Sequence, residues 1–236
     1  MSAVVLAGLV TGVTGFGFSV LAVPLLIMVL EPREVVIVTL FLATIASLTL
    51  LQTPELRGRS HLRVTGTLAL LSLIGMPIGV YVFTHYDTRA LTILMGVVIV
   101  GYAVTALSTR DSWRVPKGFI WPSGLLGGLL APSTGLSGPA VVMFIHGRRI
   151  TDNDLVATMS AYVATVSTLG LALLAIRGQV NGESIWQVLP LIPGTIVGVL
   201  IGRRLAARNH RTIDKMVLRV LLAMGLWTIV SAFGRL

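Results

Sequence analysis

Long apolar runs recur along this chain at residues 34–52, 64–84, 90–108, 153–176, 185–202 and 216–233. Each is close to the roughly 20 residues that a helix needs to cross the hydrocarbon core of a bilayer. No other feature constrains the fold as tightly, because in lipid every backbone polar group must find its partner within the protein. Composition points the same way. Of 236 residues, 55% are hydrophobic and 11% charged, against a charged fraction of about 25% in soluble domains. A soluble chain of this length could bury a core, but it could not clothe its surface with so few charges. The expected class is an all-α polytopic membrane protein.

Several functions are disfavoured at once. The first basic residue is Arg33, so the charged n-region of a secretory signal is not expected at the start. With no cysteine, disulfides, thiol catalysis and cysteine-ligated metals drop out. The histidines His61, His85, His146 and His210 are scattered, none at the i, i+4 spacing of a helical metal pair. No cofactor or metal is expected. The net charge of +9 reads as loop arginines beside anionic lipid, not as a nucleic-acid footprint.

One apolar segment is built against the rule. The stretch "TGVTGFGFSVLAVP", Thr11 to Pro24, holds three glycines, two threonines and a serine. Glycine costs a helix interior about 1 kcal/mol relative to alanine. A counterpart lies at an offset of 120, where "GLLAPSTGLSGPAVVMFI" from Gly128 answers "GLVTGVTGFGFSVLAVPLL" from Gly8. Gly8, Leu9, Thr14, Gly15, Val36 and Ser47 recur as Gly128, Leu129, Thr134, Gly135, Val156 and Ser167. "GMPIGV" at Gly75 parallels "GTIVGV" at Gly194 at an offset of 119. The chain therefore divides into a first repeat at 1–109, a basic cytoplasmic linker at 110–117 and a second repeat at 118–236.

The arginines and lysines orient these repeats. If all eight apolar segments span, the 18 basic residues split 10 to 8 across the membrane, almost without bias. If the segment at about 120–147 enters and leaves on one side, the split becomes 14 to 4, with only Arg33, Arg89, Arg177 and Arg235 on the minority face. That asymmetry is expected of a cytoplasmic face. Charge does not decide the first segment, and the repeat assigns it the same behaviour. Each repeat then holds one glycine-broken, re-entrant helical hairpin and three transmembrane helices. Three is odd, so the repeats insert in opposite senses, an inverted topology frequent among secondary transporters. Residues 3–14 and 18–30 fit two half-helices of roughly 18–20 Å each, turning at "GFGFS" near the midplane. Both termini are expected on the periplasmic side of a bacterial inner membrane.

Irregular backbone at membrane depth is tolerated only where it is buried in protein or lines a cavity. A broken helix also presents free N–H groups and a positive dipole end at the start of its second half. The candidate anion-binding residues are therefore Thr14, Gly15, Gly17 and Ser19 in the first break, and Ser133, Thr134, Gly135, Ser137 and Gly138 in the second. Pro24, Pro132 and Pro139 are the candidate helix-break and gating positions, with Pro139 suited to the first turn of a following helix. The Gly75–Gly79 and Gly194–Gly198 pairs read as close-packing motifs. All nine carboxylates lie in loops or near helix ends, which disfavours a cation substrate or a buried proton relay.

These residues carry a resemblance. "TGFGFSVLAVPLL" in the first half with "GLSGPAVVMF" in the second resembles the TauE/SafE sulfite exporter family, over essentially the whole chain from Gly8 to about Phe233. The resemblance implies a carrier of sulfite, organosulfonates such as sulfoacetate, or related small anions. It maps functional positions to Gly15, Gly17, Ser19 and Pro24, and to Gly135, Ser137, Gly138 and Pro139. Ser19 stands where many relatives carry glycine, and Ala140 follows Pro139 where a second proline is common; both bear on pocket size.

The resulting expectation is a secondary transporter of a small anion, working by alternating access around a midplane site. An anion channel or a non-transporting membrane subunit is the alternative. A membrane-embedded enzyme fails on inventory, although Ser133 and His146 could meet in space. The expected partners are the anion, the lipid bilayer and, where the chain self-associates, a homodimer; nucleic acid is not among them.

Overall fold

The computed structural model describes residues 2–108, 116–148, 150 and 152–206. The apolar run 216–233 and most of the 110–117 junction lie outside them. Every regular element among the described residues is helical. In order these are α1 (Ser2–Thr14), α2 (Phe18–Leu26), α3 (Pro32–Leu51), α4 (Leu62–His85), α5 (Thr88–Ser108), α6 (Ile120–Thr134), α7 (Gly138–Gly147), α8 (Asp152–Ile176), α9 (Gly182–Val188) and α10 (Ile192–Ala206). Short 3-10 turns at Lys117–Phe119 and Leu189–Leu191 lead into α6 and α10. Among the described residues, five stretches are long and apolar enough to cross a membrane: Pro32–Leu51, Leu62–His85, Thr88–Thr105, Asp152–Ile176 and Ser184–Ala206, the last running from α9 through the 3-10 turn into α10. They coincide with five of the apolar runs to within a few residues.

Both glycine-rich segments are broken where the sequence places the break. A Cβ added at Gly17 would stand 2.5 Å from Val10 Cγ1. In one continuous helix those positions would be about 10 Å apart along the axis, so the chain folds back. α2 packs on α1 and α7 packs on α6. α2 ends at Leu26, short of residue 30, and Pro24 is accommodated inside it.

The long-range packing exchanges partners between the halves. α1 of the first half lies along α10 of the second, α6 of the second lies along α4 of the first, and α3 packs against α8. Small residues make this possible, as expected where backbones must approach closely in lipid. Gly8 faces the Thr195 carbonyl and Gly128 faces the Ser72 carbonyl, in each case with no room for a side chain. One register differs from the sequence reading. Gly75 meets Leu125 and Leu129, while Gly198 meets the equivalent Val5 and Leu9. The structural counterpart of Gly75–Gly79 in α10 is thus Gly198–Gly202, one helical turn beyond the Gly194–Gly198 sequence match. Glycine recurs every fourth residue at 194, 198 and 202, so spacing alone permits either register, and packing selects one.

A buried polar link ties three helices together. Ser72 Oγ on α4 donates to the Gly124 carbonyl of α6 at 2.9 Å. Its proton thus engaged, Ser72 accepts from the Tyr162 hydroxyl of α8, also at 2.9 Å. Tyr162 is fully buried, and its hydroxyl occupies the space a Cβ on Gly127 would need. The outer surface is apolar in turn. α4 exposes Leu70, Ile74, Ile78 and Tyr81 while burying Leu68, Ser72, Gly75, Met76 and Gly79. Trp121 and Trp186 stand exposed near helix starts, where interfacial aromatics anchor membrane proteins.

Polar side chains collect at the two ends. At one end Arg59 and His61 face Asp154 at 3.4 and 3.7 Å, and the buried Arg203 donates to Asn153. At the other, Arg33 donates to the Tyr86 carbonyl at 3.1 Å, and Gln187 donates to Glu34. Arg33, in the first turn of α3, and Arg59, in the loop beyond its end, mark these two ends. Among the described residues, no carboxylate sits in the interior of a spanning helix; Glu31, Glu34, Asp87, Asp152 and Asp154 occupy helix starts and Glu55 a loop.

Candidate functional site

The two breaks share one local design. Gly15 has φ +83° and Gly135 φ +75°, a left-handed conformation that costs other L-residues about 1–2 kcal/mol. The Gly15 N–H donates to the Thr11 carbonyl at 2.7 Å, and the Gly135 N–H to the Ala131 carbonyl at 2.9 Å. The preceding threonine then bridges the gap. Thr14 Oγ1 donates to the Val10 carbonyl at 2.9 Å and accepts from the Gly17 N–H at 3.1 Å. Thr134 Oγ1 donates to the Leu130 carbonyl at 2.7 Å and accepts from the Leu136 N–H at 3.3 Å. Both threonines close a helix end that would otherwise leave polar groups unpaired.

Each break lodges against the opening turns of a long helix from the opposite half. A Cβ on Gly15 would stand 2.8 Å from the Val156 carbonyl oxygen of α8, and Ser160 Oγ contacts the Gly15 carbonyl at 3.3 Å. Gly135 sits beside Val36 and Thr39 of α3, with 3.4 Å from a Cβ there to Thr39 Cβ. The breaks also touch each other: a Cβ on Gly138 would stand 2.9 Å from Phe16 Cδ2. The Phe16 ring meets Tyr102 of α5 edge-on at 5.7 Å between centroids.

Engagement separates the candidate hydroxyls. Ser133 Oγ donates to the Leu129 carbonyl at 2.7 Å, so this serine, weighed above as a nucleophile, is tied to its own helix. The protons of Thr14 and Thr134 are likewise committed. Ser137, 1% exposed, differs, for its Oγ is buried without a hydrogen-bond partner. It immediately precedes α7, whose first turn holds Gly138 and Pro139, at the positive end of the helix dipole. Ser19 is buried in α2, Pro24 lies inside α2, and Pro132 lies inside α6 with its ring against Gly79.

Two participants escape the sequence reading. Phe16, inside the "GFGFS" motif, was legible as a bulky residue at the turn, but its contact with the other break was not. Thr39 is fully buried, packs on Gly135 and has an unpartnered Oγ1. Nothing in "VIVTLFLATIASLTLL" distinguishes it from Thr44, Ser47 or Thr49.

The paired breaks at this spacing, across the whole chain, have a known counterpart. The sulfite exporter TauE/SafE family model matches residues 1–228. The chain belongs to this family. A TauE/SafE relative from Cupriavidus necator, named a probable sulfite/organosulfonate exporter TauE, is 24% identical over 147 residues, covering 60% of this chain and 57% of that protein. The chain thus aligns with a little over half the length of that relative. No solved structure matches it. TauE/SafE membership, with five helices able to span, makes this a multi-pass membrane protein of a transport family.

Proposed function

We propose that the protein is a secondary carrier of a small oxyanion, sulfite or an organosulfonate, in a bacterial inner membrane. Its substrate seats at the second break, between the Gly135 turn and the start of α7. The observation that carries this reading is Ser137. A buried hydroxyl without a partner costs about 1–3 kcal/mol, and here it stands at a helix start, where an anion is favoured. An oxyanion accepting from Ser137 and from the first-turn N–H groups of α7 would satisfy all of them together. The absence of carboxylates from the interiors of the described spanning helices supports an anion over a cation. The name of the Cupriavidus necator relative supports the sulfur oxyanion class.

The architecture supports a mechanism of alternating access. The exchanged packing of α1 on α10 and α6 on α4 supports an inverted repeat, with each broken segment as a re-entrant hairpin and the site near the midplane. Alternating access then consists of one half rocking against the other around the touching breaks. The 14-to-4 charge split supports periplasmic termini and cytoplasmic loops near Arg59, Arg114, Arg148 and Arg208, of which Arg114 and Arg208 lie outside the described residues.

The test is a panel of sulfite, thiosulfate, sulfoacetate, sulfate and acetate, measured by thermal shift and then by counterflow in proteoliposomes. A sulfur oxyanion is expected to stabilise the protein and to show counterflow. Flux without counterflow would indicate a channel, and stabilisation by none of the panel would overturn the substrate class.

A further inference from the structure

Buried hydroxyls in this protein have a habit, and Thr39 breaks it, as do Ser47, Thr65, Ser137 and Ser167. Thr11, Thr134, Thr158 and Thr195 each donate to the carbonyl four residues back in their own helix. Threonine in a helix divides between two χ1 rotamers, one of which makes this bond. Thr39 is 0% exposed, yet its Oγ1 has no partner. Its Cβ and methyl pack on the Gly135 turn, within two residues of Ser137, another unpartnered hydroxyl. α3 and the turn that leads into α7 thus each carry an unengaged buried hydroxyl beside one break.

The first break has no such pair. The repeat counterpart of Thr39 at the offset of 120 is Met159, also fully buried, which has no proton to give. The hydroxyl of Ser160 on the same helix is already engaged with the Val156 and Gly15 carbonyls.

We infer that Thr39 is a substrate-binding residue, and that the anion sits off the internal two-fold, held by Ser137 of the second break and Thr39 of α3 instead of evenly between the two breaks. This rests on the anion reading proposed above and extends it to a residue from the other half. Because α3 and α7 belong to different repeats, the anion then bridges the two parts that must move past each other.

The test is apparent sulfite affinity, by thermal shift and by transport, in Thr39→Val, Thr39→Ser, Ser137→Ala and Met159→Leu. Valine keeps the shape of threonine and removes the hydroxyl. Thr39→Val is expected to weaken sulfite about tenfold, as loss of one hydrogen bond to a charged group does, with no loss of unliganded melting temperature. Thr39→Ser is expected to restore affinity to within about threefold of wild type, since the hydroxyl returns. Met159→Leu, a volume-conserving swap, is expected to change affinity by less than about twofold. If Ser137→Ala weakens sulfite while Thr39→Val does not, the Thr39 assignment fails and the anion reading stands. If neither weakens it, the reading at this break fails too. A Met159→Leu loss equal to that of Thr39→Val would overturn the off-centre placement.

Discussion

Ser137 and Thr39 carry polar atoms that stability alone would remove. Replacing a buried, unpartnered hydroxyl by hydrogen relieves a desolvation cost of about 1–3 kcal/mol. Ser137→Ala is therefore expected to match or exceed the wild-type melting temperature while sulfite affinity drops roughly tenfold or more. A serine kept for packing would show neither effect. The glycines at the breaks make a second contrast. Alanine at Gly135 must adopt φ +75° but finds ordinary contacts, so a loss of about 1–2 kcal/mol is expected in denaturant unfolding. Alanine at Gly15 adds a collision with the Val156 backbone at 2.8 Å, and is expected to be clearly worse. Equal losses at both positions would show that the contact with α8 is not as tight as described.

At the scale of elements, the α1·α10 and α4·α6 pairs are held by glycine faces. Gly198→Ala and Gly79→Ala would each push a methyl into a backbone carbonyl, of Val5 and Leu129 respectively. Both are expected to lower thermal stability sharply, with sulfite affinity little changed in whatever protein folds. Gly66→Ala, on α4 with nothing within 4 Å of the added Cβ, is expected to be neutral or to stabilise by up to about 1 kcal/mol. Much of this level was legible in the sequence. Apolar run length marked the spanning helices, and glycine, threonine and serine at residues 11–19 and 133–138 marked both breaks. Two things were not. The glycine ladder at 194, 198 and 202 admits two registers, and only contact with α1 selects one. The role of Thr39 depends on which rotamer it adopts and what lies beside it, and the same letters Thr44 and Thr49 spell ordinary back-bonded hydroxyls.

The whole molecule segregates its polar ends, and a protein without cysteine allows that to be read with single labels. A thiol at Ser60 lies at the Arg59–Asp154 end, and one at Thr88 lies at the Arg33–Tyr86 end. In intact cells an impermeant maleimide is expected to label Thr88→Cys and to spare Ser60→Cys; the reverse pattern would invert the proposed orientation. The exchanged packing also bears on the proposed alternating access. Each break is seated on a helix of the other half, so a relative shift of the halves would rearrange the proposed site. The central claim is that the second break holds the transported anion. It is tested most directly by sulfite counterflow in proteoliposomes containing wild type or Ser137→Asp. The aspartate would satisfy the donors of α7 internally and repel an anion, so the variant is expected to insert and fold yet to show no sulfite flux, while wild type does. Wild-type flux through Ser137→Asp would contradict the account.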